Sequence, residues 1–190
     1  MADLLKLPEG LPVPEDDGAC KHLPGRDLPG LALPSTSGRD VRLDEVSQGR
    51  TVFFFYPRSG RPGEPIPAAW DQIPGARGCT PHSCGYRDSF DEFRRRNVAV
   101  YGVSSQDTEY QRELVRRTNL PYEMLSDAAF KLTNALRLPT FTFEGIRLIK
   151  RLAFVAEKGR ILKFFYPVFP PDKNAEVVLA WLRSAGDGKR

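Results

Sequence analysis

An unbroken apolar run, Val52-Phe53-Phe54-Phe55-Tyr56, marks the middle of this chain's first half. Continuous hydrophobicity without alternation predicts a strand over Thr51–Tyr56 that is covered on both faces, as parallel-type strands are. The pattern then changes period. Tyr86, Phe90 and Phe93 recur at i, i+4 and i+7, one face of a helix over Gly85–Arg96 whose first turn reaches back to Cys79. Val98–Val103 reads as the next strand, ended by Ser104-Ser105. Asp107–Thr118 reads as a helix with Tyr110, Leu114 and Val115 inward and with Asn119 and Pro121 as its stop. A short strand at Tyr122–Leu125 leads through Ser126-Asp127, an N-cap, into a helix ending near Arg137. Arg151–Ala156 and Arg160–Tyr166 are β-rich runs joined by the hairpin signal Glu157-Lys158-Gly159. Asp172 or Asn174 opens a last helix with Val177, Val178, Trp181 and Leu182 on its buried side.

Two short strands, Leu31–Leu33 and Val41–Leu43, flank a Ser35–Gly38 turn ahead of this series. Residues 1–29 are rich in Pro, Gly and Asp and read as an extended arm. Residues 58–78 carry Gly and Pro with no period and read as a long loop, a feature usually functional or mobile. No internal repeat is visible. Strands alternating with helices, then a hairpin and a closing helix, predict an α/β three-layer sandwich. The single domain runs over 30–185, with a tail at 186–190.

Composition narrows the function classes. Hydrophobic content of 41% and charged content of 27% are those of an ordinary soluble globular protein. The net charge of +4 invites a nucleic-acid reading, but the basic residues are scattered. The one tight run, Arg94-Arg95-Arg96, closes a predicted helix, where cations favour the dipole. No nucleic-acid partner is expected. No segment is apolar for long enough to span a bilayer, so no membrane is expected, and the N-terminus lacks a signal peptide's apolar stretch. Three cysteines, an odd count, do not make a disulfide framework. A reducing cytoplasm is therefore the expected compartment.

The chemistry concentrates in Gly78-Cys79-Thr80-Pro81-His82-Ser83-Cys84. A thiol at a helix start meets outward-pointing backbone N–H groups, whose partial positive charge stabilises thiolate. A second thiol nearby gives the oxidised first one something to condense with. Five residues of α-helix separate the two Cα atoms by roughly 8.6 Å, beyond the ~7 Å a disulfide tolerates. A bond between Cys79 and Cys84 thus requires the helix start to unwind, which is cheapest at a terminus. Two other readings stay open. Both thiols can be small core hydrophobes. Alternatively, Cys20, His22, Cys79, His82 and Cys84 can be soft metal ligands, although their spacings fit no common zinc motif. His82 reads either as an acid or base beside the thiols or as a solvent-facing first-turn residue. Cys20 reads as a bystander thiol or a site of intermolecular disulfide formation.

Phe55-Tyr56-Pro57, followed by Gly78-Cys79-Thr80-Pro81-His82-Ser83-Cys84-Gly85-Tyr86-Arg87-Asp88, resembles the peroxiredoxin Q or bacterioferritin comigratory protein branch of the peroxiredoxins. Tyr101-Gly102-Val103-Ser104-Ser105, Leu125-Ser126-Asp127 and Arg151-Leu152-Ala153-Phe154-Val155 are similar to later motifs of that branch, in the same order. The resemblance covers residues 27 to 183. It implies a thioredoxin-like fold with a central mixed β-sheet and thiol-dependent reduction of hydrogen peroxide and organic hydroperoxides. Cys79 is then the peroxidatic and Cys84 the resolving cysteine, Pro57 shields the thiolate, and Arg151 holds the thiolate and polarises the peroxide. It also implies recycling by thioredoxin or a similar dithiol, no cofactor and no metal, and a monomer or weak homodimer. Without the resemblance Arg151 reads as a surface strand residue.

The chain departs from the branch in two places. Pro57 lies twenty-two positions before Cys79 where the branch has seven, so fifteen extra residues fall in the stretch 58–77. Ala76 stands where the branch has a Thr or Ser, leaving Ser59 or Thr80 to supply a hydroxyl. Two alternative functions are a disulfide oxidoreductase on the same fold, usually built on C-x-x-C, and a non-enzymatic redox- or zinc-responsive interaction protein.

Overall fold

The computed structural model describes residues 4–187. Its centre is a five-stranded mixed sheet made of β3 (Thr51–Phe55), β4 (Ala99–Ser104), β5 (Glu123–Ser126), β8 (Leu152–Glu157) and β9 (Arg160–Phe165), in the order β5-β4-β3-β8-β9. β3, β4 and β5 are parallel, whereas β8 runs antiparallel to β3 and β9 to β8. Two hairpins flank the sheet: β1 (Ala32–Pro34) with β2 (Asp40–Arg42), and β6 (Thr140–Phe143) with β7 (Ile146–Ile149).

Every residue of β3 is buried, as its unbroken apolar run requires. Its side chains alternate between two cores. Phe53 and Phe55 join one cluster, while Val52, Phe54 and Tyr56 join the other. Each phenylalanine so covered contributes about 2–3 kcal/mol relative to exposure. Helices α3 (Cys79–Asp88), α4 (Phe90–Arg95), α5 (Thr108–Thr118) and α7 (Asn174–Asp187) pack on the Phe54 face through Tyr86, Phe93, Leu114 and Val178. The Phe53 face is covered by α1 (Leu43–Val46), α6 (Lys131–Leu136) and the segment carrying Cys20, Leu23 and Leu28. This is the three-layer α/β sandwich.

Several elements differ from the sequence expectation. The helix expected through Arg96 breaks at Ser89, which leaves helical geometry (φ −97°, ψ 0°) and separates α3 from α4. The helix after β5 starts only at Lys131, because Phe130 adopts a left-handed φ of 54°. Asp127 still serves it from upstream, accepting from the N–H groups of Leu132 and Thr133. Val177 is 52% exposed, not buried. The β6–β7 hairpin was not anticipated, though Glu144-Gly145 between alternating runs is its signal and both residues have positive φ. The Lys158-Gly159 hairpin turn between β8 and β9 also has two positive φ values.

The stretch after Pro57 is built, not loose. It contains α2 (Ala68–Asp71), whose Trp70 packs edge-on against Phe143 at 5.1 Å. The Arg58 guanidinium covers Trp70 at 5.2 Å. Tyr110 on α5 holds the other end, its ring under Arg61 at 3.9 Å and its hydroxyl donating to Glu64. The first segment is extended, yet Cys20, Leu23 and Leu28 belong to the core. Its backbone bonds β9 through Gly25 and Arg26, and the turn before β9 through Leu28. Helix α7 runs through Asp187, two residues into the predicted tail, and the rest of that tail lies outside the described residues.

Candidate active site

Cys79 is the first residue of α3, directly after Gly78 in the left-handed conformation (φ 96°). A Cβ at Gly78 would fall 2.5 Å from Leu7 and 2.6 Å from Pro171, so no larger residue fits this turn. Gly85 admits an equally close approach, 2.6 Å from the Asp172 carbonyl, which seats α3 against the turn that precedes α7.

Contrary to the helix-start expectation, no backbone N–H among the described residues donates to the sulfur. Among the described residues its polar neighbours are Arg151, with Nη2 donating to Sγ at 3.2 Å, and the Ala76 carbonyl at 3.7 Å. Topology explains the meeting. Arg151 immediately precedes β8, and β8 is antiparallel to β3, so Arg151 lies beside the end of β3 from which the chain departs toward Cys79.

Arg151 is 3% exposed, and every described partner is neutral or the thiol itself. Nε donates to the Gly75 carbonyl, and Nη2 to those of Ala76 and Arg77. Nη1 meets His82 Nδ1 at 2.9 Å. Carbonyl dipoles fix the guanidinium without cancelling its charge, leaving that charge to act on sulfur.

His82 was the residue least readable from sequence. It is fully buried, faces neither solvent nor the cysteine chamber, and holds Arg151. A guanidinium has no acceptor, so Nδ1 accepts and the ring proton resides on Nε2. That N–H donates to Asn174 Oδ1 at 3.0 Å, which also accepts from the Tyr86 hydroxyl at 2.7 Å. Burial, then the adjacent Arg151 charge, hold the imidazole pKa well below its ordinary value. His82 is neutral and oriented, so it is no proton carrier for the thiol.

Cys84 lies in the same unbroken helix as Cys79, and all three cysteines are free thiols. Burial raises the Cys84 pKa, with Arg87 pulling the other way. Ser83, its neighbour, is held by the Tyr122 hydroxyl donating to its carbonyl at 2.6 Å.

Cys79 opens into a cavity of about 40 Å³ whose walls include Arg58, Pro65, Ile66, Trp70, Arg77 and Thr80. The stretch after Pro57 therefore roofs the thiol. Pro57 is buried at the end of β3 but is not part of the chamber wall. Ser59 is engaged with Gln106, which leaves Thr80 as the hydroxyl on the chamber. The ligand-set reading fails on placement. Cys20 and Cys79 lie in different cores, His22 bonds the Leu136 carbonyl, and the described residues contain no metal-holding cluster.

A buried thiol at a helix start, faced by a guanidinium on a mixed sheet, is the arrangement of a thiol-redox protein. The chain belongs to the redoxin family, which it matches across residues 21–179. Within that family it is a thiol peroxidase of the peroxiredoxin Q or bacterioferritin comigratory protein branch. It is 28% identical over 188 residues to chloroplastic peroxiredoxin Q of Gentiana triflora, covering 96% of this chain and 79% of that one. The Arabidopsis thaliana protein of the same name is 27% identical, with 85% and 67% covered. Peroxidoxin BcpB of Mycobacterium tuberculosis superposes with a TM-score of 0.70 at 26% identity, over 86% of this chain and 98% of that one. A Xylella fastidiosa peroxiredoxin Q mutant gives 0.71 at 20% identity, over 87% and 98%.

Proposed function

We propose that Cys79 is the peroxidatic thiolate, that Cys84 resolves it within the same chain, and that thioredoxin or a similar dithiol restores both. The observation that carries this is the Arg151 guanidinium 3.2 Å from Cys79 Sγ at a chamber of about 40 Å³. A hydroperoxide group fits that space, while a protein disulfide does not, which favours the peroxidase over the oxidoreductase. The Cys79 thiolate attacks the terminal peroxide oxygen. An S–O bond forms as the O–O bond breaks, and the departing oxygen takes a proton to leave as water or an alcohol. Arg151 bridges the sulfur and the oxygen on which charge develops, worth most in a site that excludes water.

The Cys79 sulfenic acid next meets the Cys84 thiol, forming a disulfide and releasing water. The intact helix holds the two residues too far apart, so its first turns unwind. Unwinding breaks the Tyr122–Ser83 bond and lifts His82 from Arg151 and Asn174. Exchange with an external dithiol returns both thiols. Three free thiols in one chain are in keeping with a reducing cytoplasm, and the reading requires one subunit only, as a monomer or weak homodimer.

The test is the intact mass of the reduced protein before and after one equivalent of hydrogen peroxide, with a digest to place the change. Loss of two hydrogens mapped to a Cys79–Cys84 link is expected. An unchanged mass would overturn the reading.

A further inference from the structure

Beside the cysteine chamber lies a second, larger cavity of about 420 Å³. The two share Leu4, Glu64 and Ile66 in their walls, so they are neighbours with a common partition. Leu4, Leu5, Pro62 and Ile66 make the larger one apolar on one side. Arg61, Arg87 and Arg117 line its polar side with Glu64; Arg87 and Arg117 are already paired with Asp88 and Glu113, while Arg61 lies on the Tyr110 ring. We propose that this cavity is a carboxylate-binding subsite, and that the organic substrate is an alkyl hydroperoxide carrying an ionised carboxylate at its far end. The proposal rests on the reading of Cys79 as the peroxidatic thiol.

The three arginines are in place before any ligand arrives. Arg87 Nε and Nη1 are held by Asp88 and the Thr118 carbonyl, both at 2.8 Å. Arg117 Nε is held by Glu113 at 2.8 Å and Nη2 by the Gly60 carbonyl at 3.2 Å. Each keeps one terminal nitrogen without a described acceptor. Arg61 lies flat on Tyr110, and its Nε is buried with no hydrogen-bond partner among the described residues. A buried donor in that condition is costly unless something accepts from it. Fixed, planar guanidinium groups match a carboxylate's two oxygens. Glu64 is occupied by the Tyr110 hydroxyl and faces the partition.

The walls sort the substrate. Only a slender hydroperoxide end enters the small chamber, the hydrocarbon lies along Leu4, Pro62 and Ile66, and the carboxylate reaches the arginines. The residues from Arg61 to Ile66 belong to the additional stretch after Pro57, so that stretch both roofs the thiol and builds the subsite. The carboxylate takes no part in the bond changes at Cys79.

The experiment compares oxidation rates of Cys79 by omega-hydroperoxydecanoic acid, by its methyl ester and by hydrogen peroxide. Each organic rate is normalised to the same protein's hydrogen peroxide rate. The acid should exceed the ester by about tenfold or more at low salt, and the advantage should shrink as salt screens the pair. In Arg61→Gln the acid-to-ester ratio should fall toward one. In the wild-type protein decanoate should inhibit the acid competitively while methyl decanoate does not, a readout independent of any variant's folding. Equal acid and ester rates, with rapid hydrogen peroxide oxidation, would overturn the subsite and leave the peroxidase reading standing. An acid preference that survives both Arg61→Gln and Arg117→Gln would also overturn it. Absence of oxidation by hydrogen peroxide itself would remove the reading on which the subsite rests.

Discussion

Cys20 and Cys79 lie on opposite faces of one sheet, at 0% and 4% exposure, and their surroundings differ in sign. Around Cys20 burial, with the carboxylates of Asp17 and Asp16, pushes the thiol up to about 12. Around Cys79 the nearest charge is the Arg151 guanidinium, and the sulfur opens onto a chamber. Burial is common to both, so it does not make a thiol reactive. On the proposed assignment, what sets Cys79 apart is the guanidinium beside its sulfur and the chamber onto which it opens.

The sharpest way to break this contrast is to exchange the fates of the two thiols. Cys79→Ser should abolish peroxide consumption, whereas Cys20→Ser should retain it at temperatures where the protein is folded. A coupled peroxide assay decides, and residual turnover in Cys79→Ser would reassign the nucleophile. Next in size, Arg151→Ala should slow Cys79 oxidation roughly a hundredfold or more, the scale of losing one charge-stabilising donor. Stopped-flow oxidation with a matching circular dichroism spectrum would check it. An unchanged rate would mean that the cation does not set the reactivity.

Smaller effects fall on stability. Cys20→Ser places a hydroxyl in an apolar core and should destabilise the fold by about 1–3 kcal/mol in urea titration. A neutral result would show that the Cys20 surroundings are more polar than described. His82 gives a pH signature. The unfolded chain protonates His82 near the ordinary value of about 6.5, while the folded site keeps it neutral. The unfolded state therefore binds the extra proton below that pH, and stability falls as pH falls. From pH 7 to about 5.5 the loss should be about 1 kcal/mol in the wild type and absent in His82→Gln, which keeps a donor and an acceptor. Equal pH dependence in both would contradict a buried neutral imidazole.

The local part of this architecture was readable. The apolar run of β3 and the 3.6-residue period of α5 are patterns within a few residues of one another. The helix-start position of Cys79 and the presence of Cys84 in the same helix were equally visible. What escaped was non-local. Phe130 is an apolar residue in the left-handed region, and nothing in its neighbours announces that. Residues 58–78 lack a period because Trp70 packs on a hairpin some seventy positions away, not on its own neighbours.

The sequence by itself determined the class of the protein, the chain order of the five central strands, and the two thiols on one helix. Those depend on periodicity and on a motif contiguous in the chain. The tertiary structure alone decided what surrounds them. The Arg151–His82 bond spans 69 positions and the His82–Asn174 bond 92, so neither leaves a trace in local pattern. Likewise, only the folded chain sets Cys79 against a guanidinium 72 positions away, whereas the carboxylates near Cys20, Asp16 and Asp17, are its neighbours in sequence.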